Sequence, residues 1–426
     1  MRKLLAIAVT AALSSNAYAD TLVYAGTLID GTQAKPRNNV TLVIDEGRIK
    51  AINTGFTKPA QGDVVVDRRS GTVMPGFIDM HTHLTSQMAA GSYMDRFTKN
   101  APDITLDAVH YAEKTLHAGF TTVRDLGDSF NASLALRNAI NAGKVQGPRI
   151  FSAGKSIATT GGHADPTNGT RDGIHDSPTP ADGVVDGPYE ARKAVRARYQ
   201  DGANLIKLTV TGGVLSLATS GQNPQFMTDE LEAVVTAAKD YGMKVTVHAH
   251  GKEGMLRAIA AGVDSIEHGT YMDAEVMTAM KKAGVYYVPT ITAGKSVAER
   301  AEIPGYFPEV VRPKAAAIGP LIQSTFAEAY KAGVKIAFGT DAGVFDHGEN
   351  YREFGYMVEA GMPPLEAIRA ATFEAATLLG TIADFGTLEV GKRADVVAVD
   401  GDPLADISRL ANINLVIKDG NIVKQL

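Results

Sequence analysis

The sequence predicts an α/β fold, a (β/α)8 TIM-like barrel that carries a small β-sandwich domain built from both chain ends. The middle of the chain, residues 72–383, alternates short apolar runs with stretches of helical periodicity. The two ends, residues 20–71 and 384–426, consist of short alternating strands and turns. A doubly wound sheet is the competing fold. Polar residues at the ends of so many strands favour the barrel.

Eight strand candidates with helices between them have the order that a parallel barrel requires. The candidate strands are residues 73–83, 121–127, 148–154, 204–211, 244–250, 264–269, 285–292 and 334–341. Helical periodicity is clear in 106–118, 189–200, 228–241 and 315–332. Three long connections follow strands, namely 155–188, 212–228 and 293–312. Loops after the strands surround the active face of a barrel, so we expect these three to shape a binding site.

The first 19 residues predict a signal peptide rather than a part of the fold. Arg2 and Lys3 precede an apolar stretch over residues 4–13, and the segment ends in an A-x-A cleavage pattern at Ala19. This stretch is too short to span a bilayer, for which about 20 residues are needed. We expect cleavage after Ala19 and export, most simply to a bacterial periplasm, with no membrane partner.

Composition narrows the possible partners and metal ligands. The formal net charge is −5, and no basic run suggests nucleic acid, so we expect no nucleic-acid partner. The chain has no cysteine, and it therefore offers neither disulfides nor thiolate ligands. Any metal must be held by histidine, carboxylate or a less usual group.

Two histidines, His81 and His83, end the first barrel strand and are the most informative feature of the chain. Side chains alternate faces along a strand, so this pair points to one side. Two imidazoles on one strand face form half of a metal site. The alternative is a pair of histidines that merely satisfy hydrogen bonds at a strand end.

Other metal-type side chains recur at the ends of later strands. His248 and His250 end the fifth strand, His268 ends the sixth, and Asp341 ends the eighth. A barrel brings these strand ends to one mouth, so residues that are distant in sequence meet in space. The set therefore predicts a metal centre.

Lys207 lies inside an apolar strand, where a lysine must lose its charge or be paired. One reading is an ion pair with a neighbouring carboxylate. The other is a neutral amine that takes up CO2 to become a carbamate, an anionic ligand with two oxygens that can bridge two cations. The physical chemistry of the sequence leaves both readings open.

Together these motifs resemble the amidohydrolase superfamily over nearly all of the mature chain. The branch they resemble most is the imidazolonepropionase-like one, with its Xaa-Pro and Xaa-Arg dipeptidases and carboxypeptidases and its ochratoxin A-hydrolysing amidohydrolases. The segments that carry the resemblance are 75–83, Lys207, 247–251, 266–269 and 339–341, with support from 119–125, 161–165, 346–350 and 391–395.

The resemblance implies two Zn²⁺ ions bridged by carboxylated Lys207 and a hydroxide, with manganese or cobalt as other possible occupants. His81, His83 and Asp341 would hold the more buried ion. His248 and His268 would hold the other. Asp341 would also move the proton, while His163 and His250 would act on the substrate. Glu267 and Asp79 would orient imidazoles or the strand.

The implied activity is hydrolysis of an amide or peptide bond to a C-terminal amino acid, of the dipeptidase or carboxypeptidase type, including ochratoxin A to ochratoxin α plus phenylalanine. A cyclic-amide hydrolase or lactonase is the nearer alternative, and an aminohydrolase with one metal ion would not need Lys207. An exported solute-binding protein would explain the signal peptide but not the metal-type ligands. Relatives also imply a homo-oligomer, of which an octamer is one form.

Overall fold

The structure is a computed structural model that describes residues 19–32 and 35–426. The predicted signal peptide, residues 1–19, lies outside the described residues except for Ala19. Among the helices of the described ranges, none combines the length and the apolar composition needed to cross a bilayer.

Regular structure alternates between strands and helices through the middle of the chain and is mostly strand at both ends. The strands are β1 Thr21–Leu28, β2 Arg37–Asp45, β3 Arg48–Thr54, β4 Val64–Pro75, β5 Phe77–Thr82, β6 Phe120–Asp125, β7 Arg149–Ser152, β8 Leu205–Thr209, β9 Lys244–Ala249, β10 Ser265–His268, β11 Tyr286–Val288, β12 Val396–Asp400, β13 Leu415–Lys418 and β14 Asn421–Gln425. The α-helices are α1 Asp95–Thr98, α2 Ala101–His117, α3 Ala132–Asn141, α4 Pro188–Asp201, α5 Thr228–Asp240, α6 Lys252–Ala261, α7 Ala274–Ala283, α8 Ile291–Ala301, α9 Arg312–Ala332, α10 Arg352–Glu359, α11 Pro364–Arg369 and α12 Ala375–Leu379.

Both chain ends contribute to one seven-stranded sheet with the order β14-β13-β12-β4-β1-β2-β3. The long strand β4 lies in the middle, parallel to β1 and antiparallel to β12. At the β3 edge, Ile49 donates to the carbonyl of Lys392 at 2.9 Å, just before β12 begins. The sheet is therefore curved, and its β3 edge contacts the segment that precedes β12.

The core of this sheet draws on strands from both of its halves. Val23 and Leu42 come from the N-terminal strands, and Val396 and Leu415 come from the C-terminal ones, and all four are fully buried in one apolar cluster. Burial of an aliphatic side chain contributes about 1.5–3 kcal/mol, so residues from both ends of the chain stabilise this core.

Parallel strands form two further sheets, β5-β6-β7 and β11-β10-β9-β8. Five of the strands predicted from the sequence, β6 to β10, occur within two residues of the expected bounds at each end. Among them, β8 contains Lys207, β9 contains His248 next to its last residue, and β10 ends at His268. Helices between them bury one apolar face each, in the manner expected for parallel strand–helix units.

Backbone hydrogen bonds link these two sheets on both sides. Asn204, next to β8, donates to the carbonyl of Ser152 in β7 at 2.7 Å. On the other side, Tyr287 in β11 donates to Lys335 O at 2.8 Å, and Asp341 donates to His81 O in β5 at 2.7 Å. The eighth predicted strand, 334–341, thus lies between β11 and β5, although its backbone is too irregular to form a regular strand.

Three sequence expectations need correction. The expected strand 73–83 is divided at Gly76 between β4 and β5, where a Cβ atom would lie 2.2 Å from Oγ1 of Thr121. The expected strand 285–292 ends at Val288, and the expected loop 293–312 is helix α8 as far as Ala301. The change of structure falls at Thr290, whose φ of 54° breaks the strand and starts the helix.

Candidate metal centre

The first half of the candidate centre joins the end of β5 to the irregular eighth segment. Oδ1 of Asp341 lies 3.4 Å from Nε2 of His81 and 3.3 Å from Nε2 of His83. One ligand atom from each residue falls within 4.8 Å of the others, a spacing that can hold a metal ion. The structure thus brings together the three residues that the sequence assigned to the more buried ion.

Hydrogen bonds on the far side of each ring orient the imidazoles toward Asp341. Nδ1 of His81 donates to Oε2 of Glu267 at 2.9 Å, and Nδ1 of His83 donates to the carbonyl of Gly127 at 2.9 Å. A carboxylate and a carbonyl only accept, so the proton of each neutral ring is on Nδ1 and the lone pair is on Nε2. Both lone pairs face a carboxylate oxygen.

This arrangement calls for a positive charge between the three groups. Oδ1 of Asp341 is buried and has no hydrogen-bond partner among the described residues. Burial lowers the pKa of His81 to about 4, so this ring is neutral at pH 7. Burial also lowers the pKa of His83, but the Asp341 carboxylate outweighs it and raises that pKa overall. A divalent cation meets the same demand with three ligands at once.

The second half of the centre consists of His248 and His268, at the ends of β9 and β10. Their ring centroids are 4.6 Å apart, and His268 lies 4.9 Å from His81. Burial holds the pKa of both rings well below the usual range, with support from the neighbouring histidines. Both imidazoles are therefore neutral and can act as ligands.

Their hydrogen bonds also define one free nitrogen on each ring. Nε2 of His248 donates to the carbonyl of Gly212 at 3.2 Å, which leaves Nδ1 as the lone-pair nitrogen. Nδ1 of His268 lies 2.8 Å from Oγ1 of Thr290, and that hydroxyl itself donates to Pro289 O at 2.7 Å. The hydroxyl accepts from His268, so Nε2 of this ring is the free donor to a metal.

Lys207 lines the same cavity as both halves of the centre and is only 3% exposed. Its Nζ has no hydrogen-bond partner within the part of the chain that the structure describes. Burial lowers the pKa of Lys207 to about 8, although Glu267 and Asp341 oppose the shift. The expected alternative of a close ion pair is thus not seen, and the amine is available in its neutral form near pH 8.

His163 and His250 complete the cluster of imidazoles. The ring of His163 lies 4.3 Å from that of His248, and its buried Nδ1 has no partner among the described residues. His250 stacks on His268 at 5.1 Å and shares a hydrogen bond of 2.9 Å between Nδ1 and Oγ1 of Thr270. Burial lowers the pKa of His163 to about 4 and that of His250 to about 3. Both are neutral hydrogen-bonding groups at pH 7.

All eight predicted site residues line one cavity of about 190 Å³. They are His81, His83, His163, Lys207, His248, His250, His268 and Asp341. The apolar part of the lining includes Val214, Leu215, Val297, Ile318, Ile322 and Val344. The cavity can thus place an apolar group beside a polar cluster.

Arg124 is a site-supporting residue whose role the sequence did not reveal. It is 2% exposed in β6, and its Nη2 lies 2.7 Å from Oε1 of Glu267, the carboxylate that orients His81. Arg124 also donates through Nε to the carbonyl of Met80 at 2.6 Å. Nothing in the composition of β6, which also contains two threonines and an aspartate, singles this arginine out in the sequence. His347, by contrast, lies outside the cavity and bonds to Ser86 O at 2.9 Å.

Comparison with known proteins places this geometry in a family. The model of the amidohydrolase family matches residues 72–423. Ochratoxinase from Aspergillus niger is 34% identical over 410 residues, which cover 91% of this chain and 82% of that protein. Imidazolonepropionase from Sphingopyxis alaskensis is 26% identical, covering 88% of this chain and 90% of the other.

A solved structure shares the whole fold. The crystal structure of a Xaa-Pro dipeptidase with methionine bound in its active site is 54% identical and superposes with a TM-score of 0.93, covering 95% of this chain and 100% of that one. The resemblance predicted from the sequence is confirmed. The chain belongs to the amidohydrolase family, and it is a hydrolase that acts on amide or peptide bonds.

Proposed function

We propose that this protein is a binuclear zinc hydrolase that releases a C-terminal amino acid from a peptide or an N-acyl amino acid. The observation that carries the proposal is the amine of Lys207, which has no hydrogen-bond partner within the described part of the chain and lines one cavity with two sets of histidines. Similarity to ochratoxinase and to a dipeptidase that holds methionine supports the substrate class. Ochratoxin A, cleaved to ochratoxin α and phenylalanine, is one candidate substrate.

The proposal includes a (β/α)8 barrel over residues 72–383 with the cavity at its mouth. The hydrogen bonds from β7 to β8 and from β11 through residues 335–342 to β5 support closure of the barrel. Residues 20–71 and 384–426 would form the sandwich domain, which the curvature of the seven-stranded sheet supports.

The donor set fits zinc because it offers imidazole nitrogens and carboxylate oxygens, and the chain has no cysteine. His81, His83 and Asp341 would hold one ion, and His248 and His268 the other. Lys207 would bridge them as a carbamate, formed when the neutral amine attacks CO2 and releases one proton. When bound, two divalent cations supply Lewis acidity, which makes a water molecule acidic near neutral pH and polarises the scissile carbonyl.

Asp341 has the charge state that a proton carrier needs. Burial raises its pKa, but His81 and His83 outweigh burial and lower the pKa overall, so the carboxylate is ionised at neutral pH. It can accept a proton from the attacking water and pass it to the leaving amine. Its unpartnered Oδ1 is held at the centre of the ligand group by a backbone hydrogen bond of 2.7 Å to His81.

His163 and His250 would bind the substrate. Both rings are neutral, line the cavity and keep a nitrogen available for a carbonyl or carboxylate oxygen. A donor placed where negative charge develops stabilises the transition state. We assign the carbonyl oxygen or the terminal carboxylate to these two histidines.

Metal analysis and a substrate panel test the proposal. We expect about two zinc ions per chain, and a single ion would overturn the bridging role of Lys207. N-acyl amino acids and dipeptides should turn over, with release of the C-terminal amino acid. Turnover of lactones or cyclic amides alone would favour the alternative reaction class.

The carbamate is tested by Lys207→Ala, with Lys331→Ala as a control at an exposed position. Loss of groups that merely orient metal ligands costs about 10–100-fold, so loss of the bridging ligand should cost more. Bicarbonate with a short-chain carboxylic acid should restore part of the activity. Full activity in Lys207→Ala would refute the carbamate.

We also propose export to the periplasm after cleavage at Ala19, and assembly into a homo-oligomer that could reach an octamer. The charged start, the apolar stretch and the A-x-A pattern of the first 19 residues support the export proposal. N-terminal sequencing of the exported protein and sedimentation analysis test the two proposals separately. A mature chain that retains residues 1–19, or a monomer at micromolar concentration, would contradict them in turn.

A further inference from the structure

A single lysine binds three carbonyl oxygens of one loop beside the cavity. Nζ of Lys314, near the start of α9, lies 3.1 Å from the carbonyl of Gly213, 2.8 Å from that of Ser216 and 2.6 Å from that of Ala218. We call residues 211–224 the pocket loop. Three donors of one ammonium group matched to three carbonyls of one loop use the full donor capacity of the lysine.

The base of the pocket loop is anchored independently of Lys314. Thr211 forms a β-bridge with Pro224, and Gly212 donates to the carbonyl of Asn223 at 3.1 Å. The carbonyl of Gly212 accepts the hydrogen bond from His248. The loop can therefore change at its tip while its base still orients this imidazole.

The tip of the pocket loop forms part of the cavity wall. Val214 and Leu215 line the cavity, and Tyr93 supplies one further hydrogen bond of 3.1 Å to the carbonyl of Leu215. A Cβ atom on Gly213 would lie 2.2 Å from Cε1 of His163, so the loop backbone lies directly on that ring. Movement of the tip would open the cavity next to His163.

Helix α9 supplies both the lysine and the facing wall. Lys314, Ile318 and Ile322 are spaced four residues apart and share one face of the helix. Ile318 and Ile322 line the cavity together with Val214 and Leu215. The distance between the two apolar walls is thus controlled by the contact between Lys314 and the loop.

We propose that Lys314 is a positioning residue for substrate binding, because it holds the pocket loop closed and preforms the apolar wall that receives the side chain of the released amino acid. This inference rests on the proposed function only for the identity of the substrate. The apparent affinity of a ligand falls in proportion to the population of the competent state. If loss of the lysine lowers the closed population to about a tenth, KM rises about tenfold while kcat changes little.

Lys314→Met tests this role, because methionine keeps an unbranched side chain of similar length but cannot donate to carbonyls. Lys314→Arg keeps the charge and the donors, so its amide exchange and its KM should stay close to those of the wild-type protein. Lys331→Met, at an exposed position of the same helix, is the matched control. We expect faster amide exchange in residues 213–220, about a tenfold higher KM for an N-acyl methionine, unchanged metal content and a kcat within about twofold.

Two readouts separate this inference from the proposed function. Unchanged exchange of residues 213–220 in Lys314→Met would overturn the closing role, whatever the turnover. Faster exchange with an unchanged KM, or an equal loss of kcat, would overturn the role in substrate binding. If the wild-type protein cleaves no amide of the panel while exchange responds as expected, the proposed function fails and the closing role of Lys314 stands.

Discussion

Glu267 connects the candidate metal centre to the surrounding structure, because it accepts hydrogen bonds from both His81 and Arg124. Its carboxylate accepts from Nδ1 of His81 through one oxygen and from Arg124, Ser265 and Thr246 through the other. Burial raises the pKa of Glu267, but Arg124 and His81 outweigh it and hold the pKa well below the usual range. We therefore predict that Glu267→Gln, which preserves shape and removes the charge, damages both metal binding and stability.

The expected size of each effect follows from the contacts. The amide has one oxygen where the carboxylate has two, and the charge of Arg124 retains that oxygen, so the NH2 group faces Nδ1 of His81. The ring must then place its hydrogen on Nε2, the nitrogen that faces Asp341. Loss of such an orienting group lowers metal affinity about 10–100-fold, or about 1.4–2.8 kcal/mol. The guanidinium of Arg124 keeps its hydrogen bonds but loses its buried counter-charge, which costs about 3–5 kcal/mol of stability.

Zinc affinity measured by chelator competition and the free energy of unfolding in urea test the two effects. Both are compared with Glu113→Gln, which makes the same chemical change at an exposed position of α2. Unfolding must be measured on zinc-free and zinc-loaded protein, because bound metal adds stability by mass action. Wild-type zinc affinity in a folded Glu267→Gln protein would refute the argument from the His81 tautomer.

Two other predictions concern Lys207 and the contact between strand β7 and the C-terminal part of the seven-stranded sheet. Because burial lowers the pKa of Lys207 to about 8, the neutral amine predominates above that pH. At a fixed concentration of dissolved CO2, the rate of zinc loading into metal-free protein should therefore fall about tenfold per pH unit below it. Loading that is independent of pH under this condition would contradict the carbamate. Arg149 in β7 bonds to Asp395 at 2.7 Å and to Asp419 at 2.5 Å, so Arg149→Met should lower the free energy of unfolding in urea by about 3 kcal/mol. A loss below about 0.5 kcal/mol would show that this buried ion pair adds no net stability.

The strands and the ligands on them could be predicted because their signals are local. Alternation with a period of two is sufficient to place His81 and His83 on one face of a strand. Short apolar runs located β8, which contains Lys207, and β9, which contains His248 next to its end. The sequence could not predict the tautomer of each imidazole, since the hydrogen-bond partners of His81 and His268 come from other elements.

Helix α8 was missed because the group that stabilises its start is distant in sequence. The carboxylate of Glu353, in α10, accepts from the backbone of Ile291 at 2.8 Å and from that of Thr292 at 2.7 Å. It thereby serves as a cap for helix donors that would otherwise lack partners. No residue before Ile291 signals the helix by its own side chain, since Thr290 makes no capping hydrogen bond. A helix capped by a carboxylate some sixty positions away carries no local start signal.

The conformation of the ligand-bearing strand ends was also beyond sequence reasoning, and it explains why the site and the fold depend on each other. His268, Thr290 and Asp341 have φ values of 70°, 54° and 62°, a left-handed region that costs a non-glycine residue about 1–2 kcal/mol. Asp341 is held there by the hydrogen bond to His81 O that also joins the eighth segment to β5. This one backbone hydrogen bond thus joins the eighth segment to β5, holds Asp341 in its left-handed conformation and keeps its carboxylate close to the imidazoles of His81 and His83. Changes that loosen this contact should therefore disturb the ligand geometry before they unfold the chain, because the strain is relieved first where the ligands are.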